Sequence, residues 1–119
     1  VKPPGTLRNQ RSGEILAPRL ARASGPLSRL IGLLGSATLL PDEGLWIDRC
    51  NAVHTLGMRA TLDLYFLDRD QRVLKIANGV VPNRLAEACS GAKIVVELGS
   101  ASGTRDVVIG DRLVLEERS

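Results

Sequence analysis

The chain has 119 residues, 44% of them hydrophobic and 24% charged, with a formal net charge of +3. That composition suits one hydrophobic core in one domain over 1–119 and excludes extended disorder. No run approaches the ~18 apolar residues of a membrane-spanning helix, and one Trp, one Tyr and one Phe are too few for the stacked aromatics that single-stranded nucleic acid needs.

Residues 1–5, with two prolines that supply no strand donor, read as a frayed end. Stretches 6–9 and 14–22 are strand candidates joined by Gln10-Arg11-Ser12-Gly13, with glycine late in the turn. Pro18 inside the second stretch places it at a sheet edge or a bulge. Residues 24–35 predict a short helix: Leu27, Leu30, Ile31 and Leu34 recur at helical spacing, Ser24 can cap, Pro26 tolerates the first turn and Gly35 ends it. Pro41-Asp42-Glu43-Gly44 is a turn leading into Leu45-Trp46-Ile47.

Residues 61–68 alternate, with Leu62, Leu64 and Phe66 on one face and Asp63, Tyr65 and Leu67 on the other. A turn at 68–71 returns the chain antiparallel over 72–77. Residues 82–91 are irregular. Residues 92–98 alternate again, with Ala92, Ile94, Val96 and Leu98 expected inward and Lys93, Val95 and Glu97 outward. Ile109-Gly110-Asp111 turns into a last strand at 112–116. Six to seven short strands about ten residues apart with one helix predict a mainly β fold, an antiparallel sandwich or partly open barrel.

The chemistry concentrates at 50–68, which holds the only His and one of two Cys. Asp63 interrupts an alternating strand, so it is either solvated or held by a donor, with His54, Thr55, Arg59 and Arg84 as candidates. His54 could act as a general base or ligate a metal. Cys50, His54 and Cys89 offer three ligands, but no second His or paired Cys completes a structural zinc set, so no metal is expected. A Cys50–His54 nucleophile pair requires the chain to fold back on itself. No phosphate-cradling glycine motif is present, and no cofactor is expected. Two cysteines are too few for a disulfide scaffold, which favours thiols over a bridge.

The charge is unevenly placed. Residues 1–35 hold six bases against Glu14, and the remainder ten bases against twelve acids. A basic first third could meet nucleic acid, anionic lipid or an acidic partner, or be solvated arginine.

Several pieces, in order and spacing, resemble the domain-of-unknown-function 192 family from about Leu7 to Glu117. They are Arg29-Leu30-Ile31-Gly32-Leu33-Leu34-Gly35, Gly44-Leu45-Trp46-Ile47, Val53-His54-Thr55-Leu56-Gly57-Met58, Leu62-Asp63-Leu64-Tyr65-Phe66-Leu67-Asp68, Pro82, Val96-Glu97-Leu98 and Gly110-Asp111-Arg112-Leu113-Val114-Leu115. Many members carry Phe-Trp-Met-Lys-Asn-Thr where this chain has Val53 to Met58, and a His-Thr branch looks closer. A proline usual before the Leu/Ile-Asp pair is Thr61 here. The resemblance implies a compact, mainly β fold with a short helix, and no established activity, cofactor or substrate.

The expected function is a non-catalytic module binding a small anionic ligand or a protein, through Cys50, His54, Thr55, Asp63, Arg84 and Glu97, with Arg84 clamping the anion. The alternatives are a small hydrolase-like enzyme using His54 with Asp63 or Cys50, and a basic nucleic-acid accessory protein. A cytoplasmic location is expected, or export if a leader preceded Val1.

Overall fold

The alternating stretches of the sequence become strands in the computed structural model, which describes residues 2–23, 39–53, 61–81, 87–100 and 105–117. The strands are β1 (Lys2–Asn9), β2 (Ile15–Ala23), β3 (Glu43–Asp48), β4 (Ala52–Val53), β5 (Leu62–Leu67), β6 (Val73–Val80), β7 (Glu87–Ala88), β8 (Ile94–Gly99) and β9 (Leu113–Glu116). Seven form one sheet in the order β6-β5-β8-β3-β2-β1-β9, and β4 and β7 form a separate two-stranded ribbon. The expected helix at 24–35 lies outside the described residues.

The fold is mainly β, but the sheet is mixed rather than antiparallel, because β2 and β3 run parallel from Arg19–Glu43 to Ala23–Ile47. A parallel pair needs a crossover of about a dozen residues or more, and the segment 24–42 between the two strands meets that length. Strand spacing alone does not reveal which neighbours run together, so this pair escaped the sequence reading. The two edge strands meet through one bridge, Arg72 opposite Arg112, flanked by Val73 N–H donating to Asp111 O (2.8 Å) and Leu113 N–H donating to Gln71 O (3.0 Å). No ladder follows that bridge, and the sheet does not close into a barrel.

Each face of the sheet has its own core. Leu7, Leu20, Trp46, Tyr65, Leu67, Val73, Val96, Leu98 and Leu113 pack on one side, drawn from every strand of the sheet, which makes this the inner side of its curl. Leu45, Ile47, Leu62, Leu64, Phe66, Val95 and Cys50 pack on the other, with Val53 of β4 against them. All six residues of β5 and all six of β8 are therefore buried. Val95 and Glu97, expected outward, are 0% and 2% exposed. Burying each large apolar side chain is worth roughly 1.5–3 kcal/mol, so two apolar faces on the central strands outweigh the simple in–out alternation.

Local signals hold at the turns. Gly13 takes φ 74° between β1 and β2, and its N–H donates to Asn9 O. β2 lies between β1 and β3, so Pro18 is not on an edge; the β1–β2 register jumps from Gly5–Leu20 to Leu7–Ala17, a bulge that spans it. β1 starts at Lys2, ahead of the expected residue 6, while its ladder with β9 begins only at Thr6.

Candidate functional site

Asp63 points to the inner side of the curled sheet, since it lies opposite Leu98 of β8. Its donor is Arg105, which none of the sequence candidates anticipated. Arg105 Nη1 donates to Asp63 Oδ2 at 2.6 Å, and the Gly79 N–H donates to Oδ1 at 2.8 Å. Arg105 Nη2 donates further to Pro41 O (3.0 Å) and Gly99 O (2.7 Å). The two charged side chains are only 7% and 6% exposed. This cluster ties β5, β6, the end of β8 and the approach to β3 together, so its geometry is that of an internal cross-link. Tyr65, two residues along the same face, has its phenol pushed up by burial, with Arg105 opposing that shift.

Cys50 and Glu97 belong to the opposite face. Glu97 lies opposite Leu45 and Leu64, both in the outer core, and Cys50 is 2% exposed within that core. The Cys50 thiol donates to Ala52 O at 3.1 Å, and its backbone N–H donates to Lys93 O at 3.1 Å. Cys89 N–H donates to Asn51 O at 2.9 Å, which brings the loop of the second cysteine alongside Cys50, and the two cysteines are not joined by a disulfide. The structure thus sets Cys50 and Glu97 on one side of the sheet and Asp63 on the other. His54, Thr55 and Arg84 lie outside the described residues.

Ion pairing sorts the cations. Among the described side chains, Arg8 meets Glu116, Arg11 meets Asp106 and Asp111, Arg19 meets Asp42, Arg22 meets Asp48, Lys75 meets Glu87 and Arg105 meets Asp63. Within the same set, Arg49, Arg69, Arg72, Lys93 and Arg112 have no carboxylate partner, and every one of them lines a hollow. One hollow, about 330 Å³, is bounded by Arg49, Cys50, Asn51, Ala92 and Lys93. The other, about 380 Å³, holds Arg69, Arg72 and Arg112. Lys93 N–H donates to Leu67 O, the last residue of β5, and Arg69 follows two residues later, so both hollows lie at the same end of that strand. Arg49 takes φ 53°, a left-handed conformation that costs a residue other than glycine on the order of 1 kcal/mol.

No sequence signal marks these cations as different from the paired ones; only the absence of an acid within ion-pair distance does so. Among the described residues no group of three or more His, Cys, Asp or Glu converges as a metal site, and no helix is long and apolar enough to cross a membrane.

The model of the DUF192 family, described as Uncharacterized ACR, matches residues 7–115, nearly the whole chain. The chain belongs to the DUF192 family. Among solved structures, this DUF192 chain is similar to a protein of unknown function from Novosphingobium aromaticivorans, with 24% identity and a TM-score of 0.71 over 93% of this chain and 83% of that one. It is also similar to a protein from Sinorhizobium meliloti described as a "putative transcription regulator", with 25% identity and a TM-score of 0.73 over 97% and 94%. The first likeness shows the shared fold alone. No curated protein matches the DUF192 chain.

Proposed function

We propose that this DUF192 chain is a non-catalytic binding module that takes a small anionic ligand at the end of β5, in the hollow of Arg49, Cys50, Asn51, Ala92 and Lys93. The observation that carries the reading is the sorting of charge: described cations elsewhere are neutralised by acids, and those at the hollows are not. An unmatched guanidinium and ammonium beside an amide side chain form a donor set for a carboxylate or phosphate oxygen. The hollow of about 330 Å³ falls in the size range of small-ligand sites. Strain at Arg49 fits a residue whose position serves binding more than folding. In this proposal His54 and Thr55, which follow β4 directly in sequence, supply further hydrogen bonds, and Arg84 adds a third cation to Arg49 and Lys93.

Asp63 enters the proposal as an anchor and not as a contact, because both of its oxygens already accept donors. The same engagement weighs against a hydrolase that uses Asp63 to orient His54. The Cys50 thiol, donating to a carbonyl within the core, resembles a packed structural cysteine. A nucleic-acid role, which the description of the Sinorhizobium protein would suggest, draws little support from the basic first third, where Arg8, Arg11, Arg19 and Arg22 are matched by carboxylates.

Backbone chemical-shift mapping with succinate and with sulfate as probes tests the proposal. Saturable shifts at Asn51, Ala92 and Lys93 that disappear in a folded Lys93→Glu variant are expected. Absence of any saturable shift there into the millimolar range overturns it.

A further inference from the structure

The second hollow carries a separate inference. Arg72 and Arg112 face each other across the bridge that joins the two sheet edges. The bonds beside them run from Val73 N–H to Asp111 O and from Leu113 N–H to Gln71 O, so the two arginines form a non-hydrogen-bonded pair. In that geometry the α-carbons stand about 4.5 Å apart and the side chains leave the same face close together. Like charges placed so are destabilising, and Arg69 adds a third to the same hollow.

Among the described residues no carboxylate forms an ion pair with these three guanidiniums. Asp68 Oδ1 accepts the backbone N–H groups of Asp70 and Arg72, which fixes the turn, and Asp70 is the one carboxylate lining the hollow against three guanidiniums. Arg72 Nη1 donates to Gly110 O at 3.0 Å, which orients its guanidinium. Gln71, also in the lining, holds φ 68°, a left-handed conformation unusual for glutamine. Repulsion and backbone strain therefore coincide at one place on the surface.

Planar guanidiniums in a cluster match phosphate oxygens through paired N–H donors better than they match a point charge. The volume of about 380 Å³ exceeds what a bare ion needs and falls in the range of organic ligands. The turn that accepts the Arg72 hydrogen bond carries Val108 and Ile109, which are 52% and 65% exposed, beside this basic hollow. We propose that the hollow of Arg69, Gln71, Arg72 and Arg112 binds the phosphate group of a small organic phosphate ester, with the Val108–Ile109 turn beside the ester's carbon portion. The phosphate could belong to a free ester or to a lipid headgroup, and the experiment separates the two.

Isotope-labelled full-length chain is titrated with glycerol phosphate, and in parallel sedimented with phosphatidylglycerol or phosphatidylcholine vesicles. Saturable shifts at Gln71, Arg72 and Arg112 are expected. Each of Arg69→Gln and Arg112→Gln should weaken binding by about tenfold, the scale of one charge-assisted hydrogen bond, and added salt should weaken it further. Shifts without vesicle binding assign a free ester. Binding to phosphatidylglycerol vesicles that Ile109→Asp abolishes, with glycerol phosphate binding retained, assigns a lipid source. Neither shifts nor selective sedimentation, or an unchanged affinity in folded Arg69→Gln and Arg112→Gln, overturns the proposal. Lys93→Glu should leave this site intact, so failure here is distinguishable from failure at the hollow of Arg49 and Lys93.

Discussion

Asp63 and Arg105 show how much can depend on two side chains that the sequence sets far apart. The pair is nearly sealed from solvent, and the guanidinium also satisfies the carbonyls of Pro41 and Gly99. Removing one partner of a buried pair leaves an uncompensated charge and costs about 3–5 kcal/mol. Asp63→Asn should lose that much in urea unfolding, and adding Arg105→Met should cost far less than its own single effect, since coupled residues are not additive. Asp111 supplies a second residue-level expectation. Its carboxyl is lowered from 3.8 to about 2, first by the hydrogen bond from Arg11, then against its own desolvation by the Val108 N–H and the Asn9 amide. A carboxyl lowered in the folded state stabilises above its unfolded value, and that contribution fades as pH falls from about 4 through about 2. The stability difference between wild type and Asp111→Asn should therefore be constant near neutrality and shrink across that acid window.

At the scale of the element, the central strands set the tolerances. β5 and β8 are buried on both faces and paired residue for residue from Leu62–Gly99 to Leu67–Ile94. Gly99 ends β8 where a β-carbon would overlap the backbone of Leu40 and Pro41, atoms that no side-chain rotation can move away. Gly99→Ala should then cost at least the 1–3 kcal/mol or so of an overpacked core, read as a lower urea midpoint with an unchanged slope. The same strand end carries the Gly99 carbonyl that Arg105 holds, so the loss should be partly shared with Arg105→Met.

At the scale of the whole molecule, two cores back to back on one sheet leave different surfaces at different depths. Cys50 is 2% exposed in the outer core, whereas Cys89 is half-buried beside the ribbon. A thiol reagent should label Cys89 first, and Cys50 only at the rate of global or local opening. Equal rapid labelling of both would mean that the outer core is not closed over Cys50. The same scale governs charge: acids from distant strands neutralise arginines of the first third, as Glu116 does for Arg8 and Asp111 for Arg11. Among the described residues the uneven linear distribution of charge is thus largely evened out in space, and the cations without a carboxylate partner gather at the end of β5.

The sequence by itself determined where the strands near 61–68 and 92–98 fall, the hairpin turns at 10–13 and 68–71, the irregularity at Pro18 and the membership that the order of its motifs implies. These are local: side-chain periodicity, the left-handed freedom of Gly13 and the missing amide of proline act over a few residues. Only the tertiary structure decided that β2 and β3 run parallel, that both faces of β5 and β8 are covered, and that Asp63 and Glu97 point to opposite sides. It alone decided that Asp63 is held by Arg105, 42 positions away. Pairing between residues so distant depends on where the sheet curls, and no spacing within one strand encodes it. The physical reason is that a charge or a strand is satisfied by whatever stands beside it in three dimensions, while sequence pattern records only what stands beside it along the chain.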